Sequence, residues 1–398
     1  MKRGMLLAMG VLVVVGGVAG AASTQPATAP TSAPTTQPIR LLDAEMAQRF
    51  EKLGSLRDDP GEQREAARRR RLIRERLGAE TDVSERIVLT LGWANWELAE
   101  AAAPAATRWL LGMRTRDDLE RFGAAAEAAR EALDAAKRDF EFLTDSPERA
   151  VQRQHRRWKQ TLERLRTFAD ACAALAGSAP AGASDLEVAQ EACRVAAIEL
   201  AVLREDEDAD TAAAARLWQA LLLEAGGRAD RALDTLDFAL VAPDHLPYDF
   251  FLRLLRCSLL LDRGSYLLAT ALTYRVEAEC DRWFGAGTPA GVRALAAVRV
   301  VRLKCLWRWA DALRADEPEL ADRQLEKADA LRAEHFPSDG LAPIYRLDRA
   351  VPIFVELPDL SSPAATRPTT STAPAASAPS DEPVDPVEGV VPPTADIE

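Results

Sequence analysis

The sequence predicts an all-α protein built from stacked antiparallel helical hairpins, and three observations carry that reading. Ala, Leu, Arg and Glu dominate the middle of the chain, a composition of helix formers. Segments with strand patterning are nearly absent there. Breaker residues recur at intervals that leave helices of about 15 to 28 residues with short connections. They fall at Pro104, at Ser146-Pro147, at Gly177 to Ser184 (GSAPAGAS), at Pro243 to Pro247, at Gly285 to Pro289 (GAGTP), and near Pro318 and Pro337. Such a pattern fits either a repetitive helical solenoid or an irregular helical bundle.

Residues 1–22 combine a basic start (Lys2, Arg3), an apolar run from Met5 to Val18 and the small-residue site Ala19-Gly20-Ala21. This is the layout of a secretory signal peptide, with an uncleaved anchor as the other reading, and it predicts export to the periplasm or beyond. No cysteine near that site could carry a lipid, and no later run is apolar for long enough to span a bilayer. Residues 23–40 read as a disordered linker and residues 359–398 as a disordered acidic tail. Ser23 to Arg40 and Ser361 to Glu398 contain no Phe, Trp or Tyr yet hold 12 of the 24 prolines. That composition buries too little apolar surface to offset chain entropy. The segment from Ser361 sums to −5 within a whole-chain charge of −12, a balance that argues against nucleic acid and anionic membranes as partners. Arginine far outnumbers lysine, which points to a GC-rich bacterial genome.

GSAPAGAS divides the remainder into an N-terminal helical region, 41–177, and a region richer in Leu and Trp, 185–358. Helix starts are signalled by Asp82 with Glu85, and by Ser184 with Glu187 at the spacing of a capping box. In the second of these helices Leu186, Ala189, Cys193, Ala196 and Leu200 form one apolar stripe at helical spacing. Residues 221–240, LLLEAGGRADRALDTLDFAL, read as the end of one helix, a Gly-Gly turn, and a helix returning against the first. Ala232 and Ala239 leave room for close backbone approach, and Leu236 fills the space between them.

These residues resemble a tetratricopeptide repeat, a 34-residue helix-turn-helix unit with small residues where its helices cross. Gly227, Ala232, Leu236, Ala239 and Pro243 fall at or within one residue of the pattern, with Leu in place of an aromatic. The early Trp and Leu-Gly are missing: Arg216 stands at the Trp position and Trp218 is close. LLLDRG (Leu259 to Gly264) follows LLLEAG by 38 residues and is itself followed by Tyr266 and Ala269, so the unit is expected to recur once with an insertion. The repeat-packing residues are therefore Gly227, Ala232, Leu236, Ala239, Gly264 and Ala269, within a repeat-like segment of about 210–335. Weaker echoes lie at Gly123, Ala128 and Ala135, and at Ala321, Leu325 and Ala328. The resemblance implies a concave groove that binds a peptide or another protein.

Motifs for chemistry fall short of their templates. Cys172, Cys193, Cys257, Cys280 and Cys305 lack C-x-x-C spacing and sit in apolar stretches, which predicts buried free thiols over a Cys172–Cys193 disulfide. His155, His245 and His335 lack ligand spacing. EDEDADT (Glu205 to Thr211) opens like a calcium loop but has Thr211 for the turn glycine and Leu217 for the closing glutamate. GAGTPAG follows a helix and reads as a loop, and ARRRRLIRERL (Ala67 to Leu77) as a solvated helical face. Trp93 with Trp96 and Trp307 with Trp309 read as core aromatics, with a sugar-stacking platform as the alternative. No catalytic, cofactor or metal residue is assigned. The expectation is an exported non-enzymatic scaffold that binds a protein or peptide partner. The alternatives are an all-helical enzyme or carbohydrate-binding protein acting on an envelope polymer, and a self-associating structural component.

Overall fold

The computed structural model describes residues 41, 43–51, 60–143, 149–180, 182–205, 209–239 and 248–336. The signal-like start, the linker, the tail, His245, the acidic run at 206–208 and the breaks at Pro147, Pro243 to Pro247 and Pro337 lie outside the described residues. Among the described residues there are thirteen α-helices and no strand. They are α1 (Ala44–Glu51), α2 (Pro60–Ala79), α3 (Val83–Glu97), α4 (Ala103–Leu110), α5 (Arg116–Leu143), α6 (Arg149–Ala176), α7 (Ala183–Ala201), α8 (Ala209–Ala225), α9 (Ala229–Ala239), α10 (Tyr248–Asp262), α11 (Tyr266–Phe284), α12 (Pro289–Leu313) and α13 (Pro318–His335). None is long and apolar enough to cross a membrane.

Helices adjacent in sequence pack against each other, as short connections between apolar faces require: α5 on α6, α6 on α7, α7 on α8, α8 on α9, α10 on α11, α11 on α12 and α12 on α13. The exception is instructive. Residues 83–110 would run as one helix but for Pro104, which has no N–H to donate and whose ring crowds the carbonyl one turn earlier. The chain widens into a π turn at Leu98–Ala102 and restarts as α4 with Pro104 in its first turn. α5 then packs back on α3.

α8 and α10 are enclosed on almost every side: Trp218, Leu221 and Leu222 of α8 and Phe250, Phe251 and Leu255 of α10 are all buried. One side of each meets its hairpin partner, and the other meets the N-terminal helices, α8 against α6 and α10 against α4. An edge-on aromatic chain fills this inner layer. Trp109 of α4 lies 5.4 Å from Phe122 of α5, Phe122 lies 5.8 Å from Trp218, and Phe168 of α6 lies 6.3 Å from Trp218. Each such pair adds about 0.5–1.5 kcal/mol beyond its buried area.

Asp82 caps α3 as its sequence suggests, its carboxylate accepting from the backbone N–H groups of Ser84 and Glu85 at 2.9 and 3.1 Å. The capping box at Ser184 does not form. α7 is capped two residues earlier, by Gly182 in extended backbone, so Ser184 already lies inside the first turn and its hydroxyl turns to Asp185 at 3.3 Å. At the other loop singled out in the sequence, Gly285 and Gly287 take positive φ and Thr288 caps α12 by accepting from the Gly291 N–H at 3.0 Å.

Candidate interaction surface and its buried support

Two glycines of the proposed repeat sit where the chain needs left-handed backbone: φ is 71° at Gly227 and 77° at Gly264. Both close the same C-terminal motif. The Gly227 and Arg228 N–H groups donate to the Glu224 and Leu223 carbonyls, and the Gly264 and Ser265 N–H groups donate to those of Leu261 and Leu260. The equivalent glycines are thus 37 residues apart, one fewer than the sequence alignment of LLLEAG with LLLDRG gives. Ala232, Leu236 and Ala269 are fully buried. Ala239 ends α9, and its side chain lies outside the described residues. Gly112, with φ 69°, repeats the motif at the end of α4, its own N–H and that of Met113 donating to Trp109 and Arg108.

The segment around Gly112 is the centre of a buried polar junction. The Lys304 ammonium of α12 donates to the Gly112 carbonyl at 2.7 Å, and the Ser258 hydroxyl of α10 donates to the Leu110 carbonyl at 3.0 Å. Arg114, almost fully buried, pairs with Glu224 at the end of α8 and lies 3.5 Å from Asp262 at the end of α10. Burial pushes the Glu224 carboxyl up, against the attraction of Arg114. Burial likewise pulls the Lys304 ammonium down, against Asp262. Two cations and two anions therefore neutralise one another across three helices and one turn. The junction locks the N-terminal helices onto the inner face of the later hairpins.

With that face covered, apolar side chains reach solvent on the outer helices. On α11, Leu267, Leu268 and Tyr274 are exposed. Tyr274 is held by the Arg302 guanidinium, 3.6 Å from its ring centroid, and Arg302 in turn donates to Thr273 Oγ1 at 3.0 Å and pairs with Glu277 at 2.5 Å. Burial pushes the Glu277 carboxyl up, but Arg302 and Arg299 outweigh it and hold the group below the usual carboxylate range. On α7, Val188, Val195 and Ile198 stand 72, 46 and 69 % exposed, and Val202, at the cap just past its end, 77 %. The opposite face of α7 carries the expected stripe, with Cys193, Ala196 and Leu200 buried and Leu186 and Ala189 half-buried.

The remaining candidates are mostly structural. All five cysteines are free and buried, and burial pushes the Cys193, Cys280 and Cys305 thiols up to about 12. Cys193 donates to the Ala174 carbonyl at 3.4 Å. His155 stacks on Trp158 at 5.7 Å, and no group of three His, Cys, Asp or Glu could hold a metal among the described residues. Trp93 and Trp96 are buried and stacked at 5.5 Å, and Arg74 and Arg70 of α2 lie over their faces at 5.2 Å. Part of the arginine run thus covers aromatic rings. Trp93 also floors an open cleft of about 490 Å³ beside the Arg86–Asp139 pair, in which Arg86 donates to both carboxylate oxygens at 2.8 and 2.6 Å.

The second apolar face of α7 escaped the sequence reading. Its signal was present: a helix apolar on two opposite faces has one more face than a single hairpin partner covers. Comparison with protein-family models, with curated proteins and with solved structures finds no match to this chain.

Proposed function

We propose that this chain is an exported, non-enzymatic scaffold of tetratricopeptide-like hairpins that binds a protein or peptide partner in the bacterial cell envelope. The observation that supports this reading is the apolar outer face of α11, where Leu267, Leu268 and Tyr274 are exposed. Large apolar groups grouped on a surface mark an interaction site more often than isolated ones do. A tyrosine already oriented by a buried arginine loses little freedom on binding, which suits it to anchor a partner. The face lies on α11, within residues 210–335.

The test is a photo-crosslinking residue at Leu267 in intact cells, with the products identified by mass spectrometry. One dominant protein joined to this position supports the scaffold. Self-links alone turn the reading to a structural, self-associating component. No protein product at all turns it to an enzyme or carbohydrate-binding protein.

A further inference from the structure

The seam between α6 and α7 is open along its length. Gln160, Glu163, Arg164 and Thr167 of α6 with Val202, just past the end of α7, line a depression of about 420 Å³. Ala173 and Ala174 of α6 with Val188 and Val195 of α7 line another of about 950 Å³. Glu199 lines both, so the two depressions adjoin along the seam. Val188, Val195 and Val202 recur every seven residues along it, and Ile198 adjoins them. From Val188 to Val202 the rail runs about 21 Å, the length of four helical turns.

Charge selects the occupant. The lining holds three cations, Arg130, Arg164 and Arg194, against the five carboxylates Glu163, Asp170, Glu187, Glu191 and Glu199; Arg130 is engaged by Asp170, and Arg194 by Glu191 and the Gly226 carbonyl. Glu163, Glu187 and Glu199 have no ion-pair partner among the described residues. The groove is therefore apolar along its middle with a surplus of negative charge at its sides. The chain's own C-terminal segment, with its sum of −5, is repelled by that field. An anionic bilayer is repelled in the same way, and a second copy would bring an identical acidic seam against this one. What fits is a helix with apolar residues at i, i+3/i+4 and i+7 flanked by Lys and Arg.

We propose that the α6–α7 seam is a docking groove for a basic amphipathic helix of a protein partner, an inference that rests on reading the chain as a partner-binding scaffold. The apolar rail supplies the buried contact, and Glu163, Glu187 and Glu199 meet the flanking cations. Because those carboxylates are solvent-accessible, the charge contribution weakens with salt over a Debye length of about 8 Å.

The experiment titrates the exported chain against two fluorescent 18-residue helical peptides, one Leu/Lys and one Leu/Glu, of the same apolar pattern, followed by anisotropy. The Leu/Lys peptide is expected to bind at least about tenfold more tightly than the Leu/Glu peptide. Val188→Ser/Val195→Ser/Val202→Ser should lose at least about tenfold, and Glu187→Gln/Glu199→Gln several-fold together with much of the salt dependence. All substituted side chains are exposed, and melting curves verify that the variants fold. Equal binding of the two peptides, or binding indifferent to both variants, overturns the proposal. So does a concentration-dependent dimer, or adsorption to anionic phosphatidylglycerol vesicles, that the valine variant abolishes. A photo-crosslinker at Val195 separates this proposal from the reading beneath it. A partner joined at Leu267 but none at Val195 ends the groove and leaves the scaffold, whereas none at either position ends both.

Discussion

Gly112 is a residue at which backbone conformation and buried charge depend on the same missing Cβ. Its φ is 69°, and a Cβ there would lie 2.2 Å from the Lys304 nitrogen that its carbonyl binds. Gly112→Ala should cost about 2–4 kcal/mol, the sum of left-handed strain and a displaced buried ammonium, read as a lower urea midpoint. Gly78 is the contrast: nothing lies within 4 Å of its Cβ position inside α2, so Gly78→Ala should stabilise by about 0.5–1 kcal/mol. Glu277 supplies a pH-dependent counterpart. Its folded-state carboxyl sits below the ordinary value of 4.5, so its contribution is present above that value and is lost as pH falls through the folded value. The stability gap between wild type and Glu277→Gln should therefore be widest near neutrality, at about 1 kcal/mol, and close on acidification. A gap constant from pH 7 to pH 3 would show that the ion pair with Arg302 does not hold in solution.

Among elements, the Gly-Gly turn between α8 and α9 shows that neighbouring identical residues are needed for different reasons. Gly227 is required by its φ of 71°. Gly226 is required by proximity, since a Cβ would meet Arg194 Cγ at 2.8 Å and the Gln190 carbonyl at 3.1 Å, both on α7. Gly227→Asn should accordingly be milder than Gly227→Ala, which costs about 1 kcal/mol, because asparagine tolerates left-handed backbone better. Gly226→Ala and Gly226→Asn should both disturb α7 packing, asparagine more. Thermal melts of the four variants separate the two mechanisms. The turn itself was legible in the sequence because glycine conformation is a local property. The π turn at Leu98–Ala102 was not, because Pro104 signals only that a helix is interrupted and not whether it ends or widens. Ser184 misled because a serine three residues before a glutamate matches a capping box whether or not a better-placed residue precedes it. Here Gly182, in extended backbone, takes the cap.

For the molecule as a whole, the hairpins of residues 209–336 do not stand alone, since α8 packs on α6 and α10 on α4. Periodicity located the helices but said nothing about which ones enclose α8 and α10, since that depends on pairings such as Ser258 with Leu110 and Lys304 with Gly112, 148 and 192 residues apart. Arg114 gave no sequence signal either: an arginine after a helix end looks like any solvated charge until Glu224 and Asp262 close around it. Its loss leaves the buried Glu224 carboxylate without its cation, so Arg114→Met should destabilise the fold by about 3–5 kcal/mol. Arg114→Met/Glu224→Gln should recover part of that loss, since one uncompensated charge is removed with its partner. The same logic predicts the behaviour of the C-terminal part alone. A chain of residues 183–336 would expose the Trp218 face that Phe122 and Phe168 cover, and would leave Lys304 without its Gly112 acceptor. It should therefore show no cooperative melt by circular dichroism and should associate on size-exclusion chromatography. A monomer melting as the full chain does would mean that the N-terminal helices lie against the hairpins without supporting them.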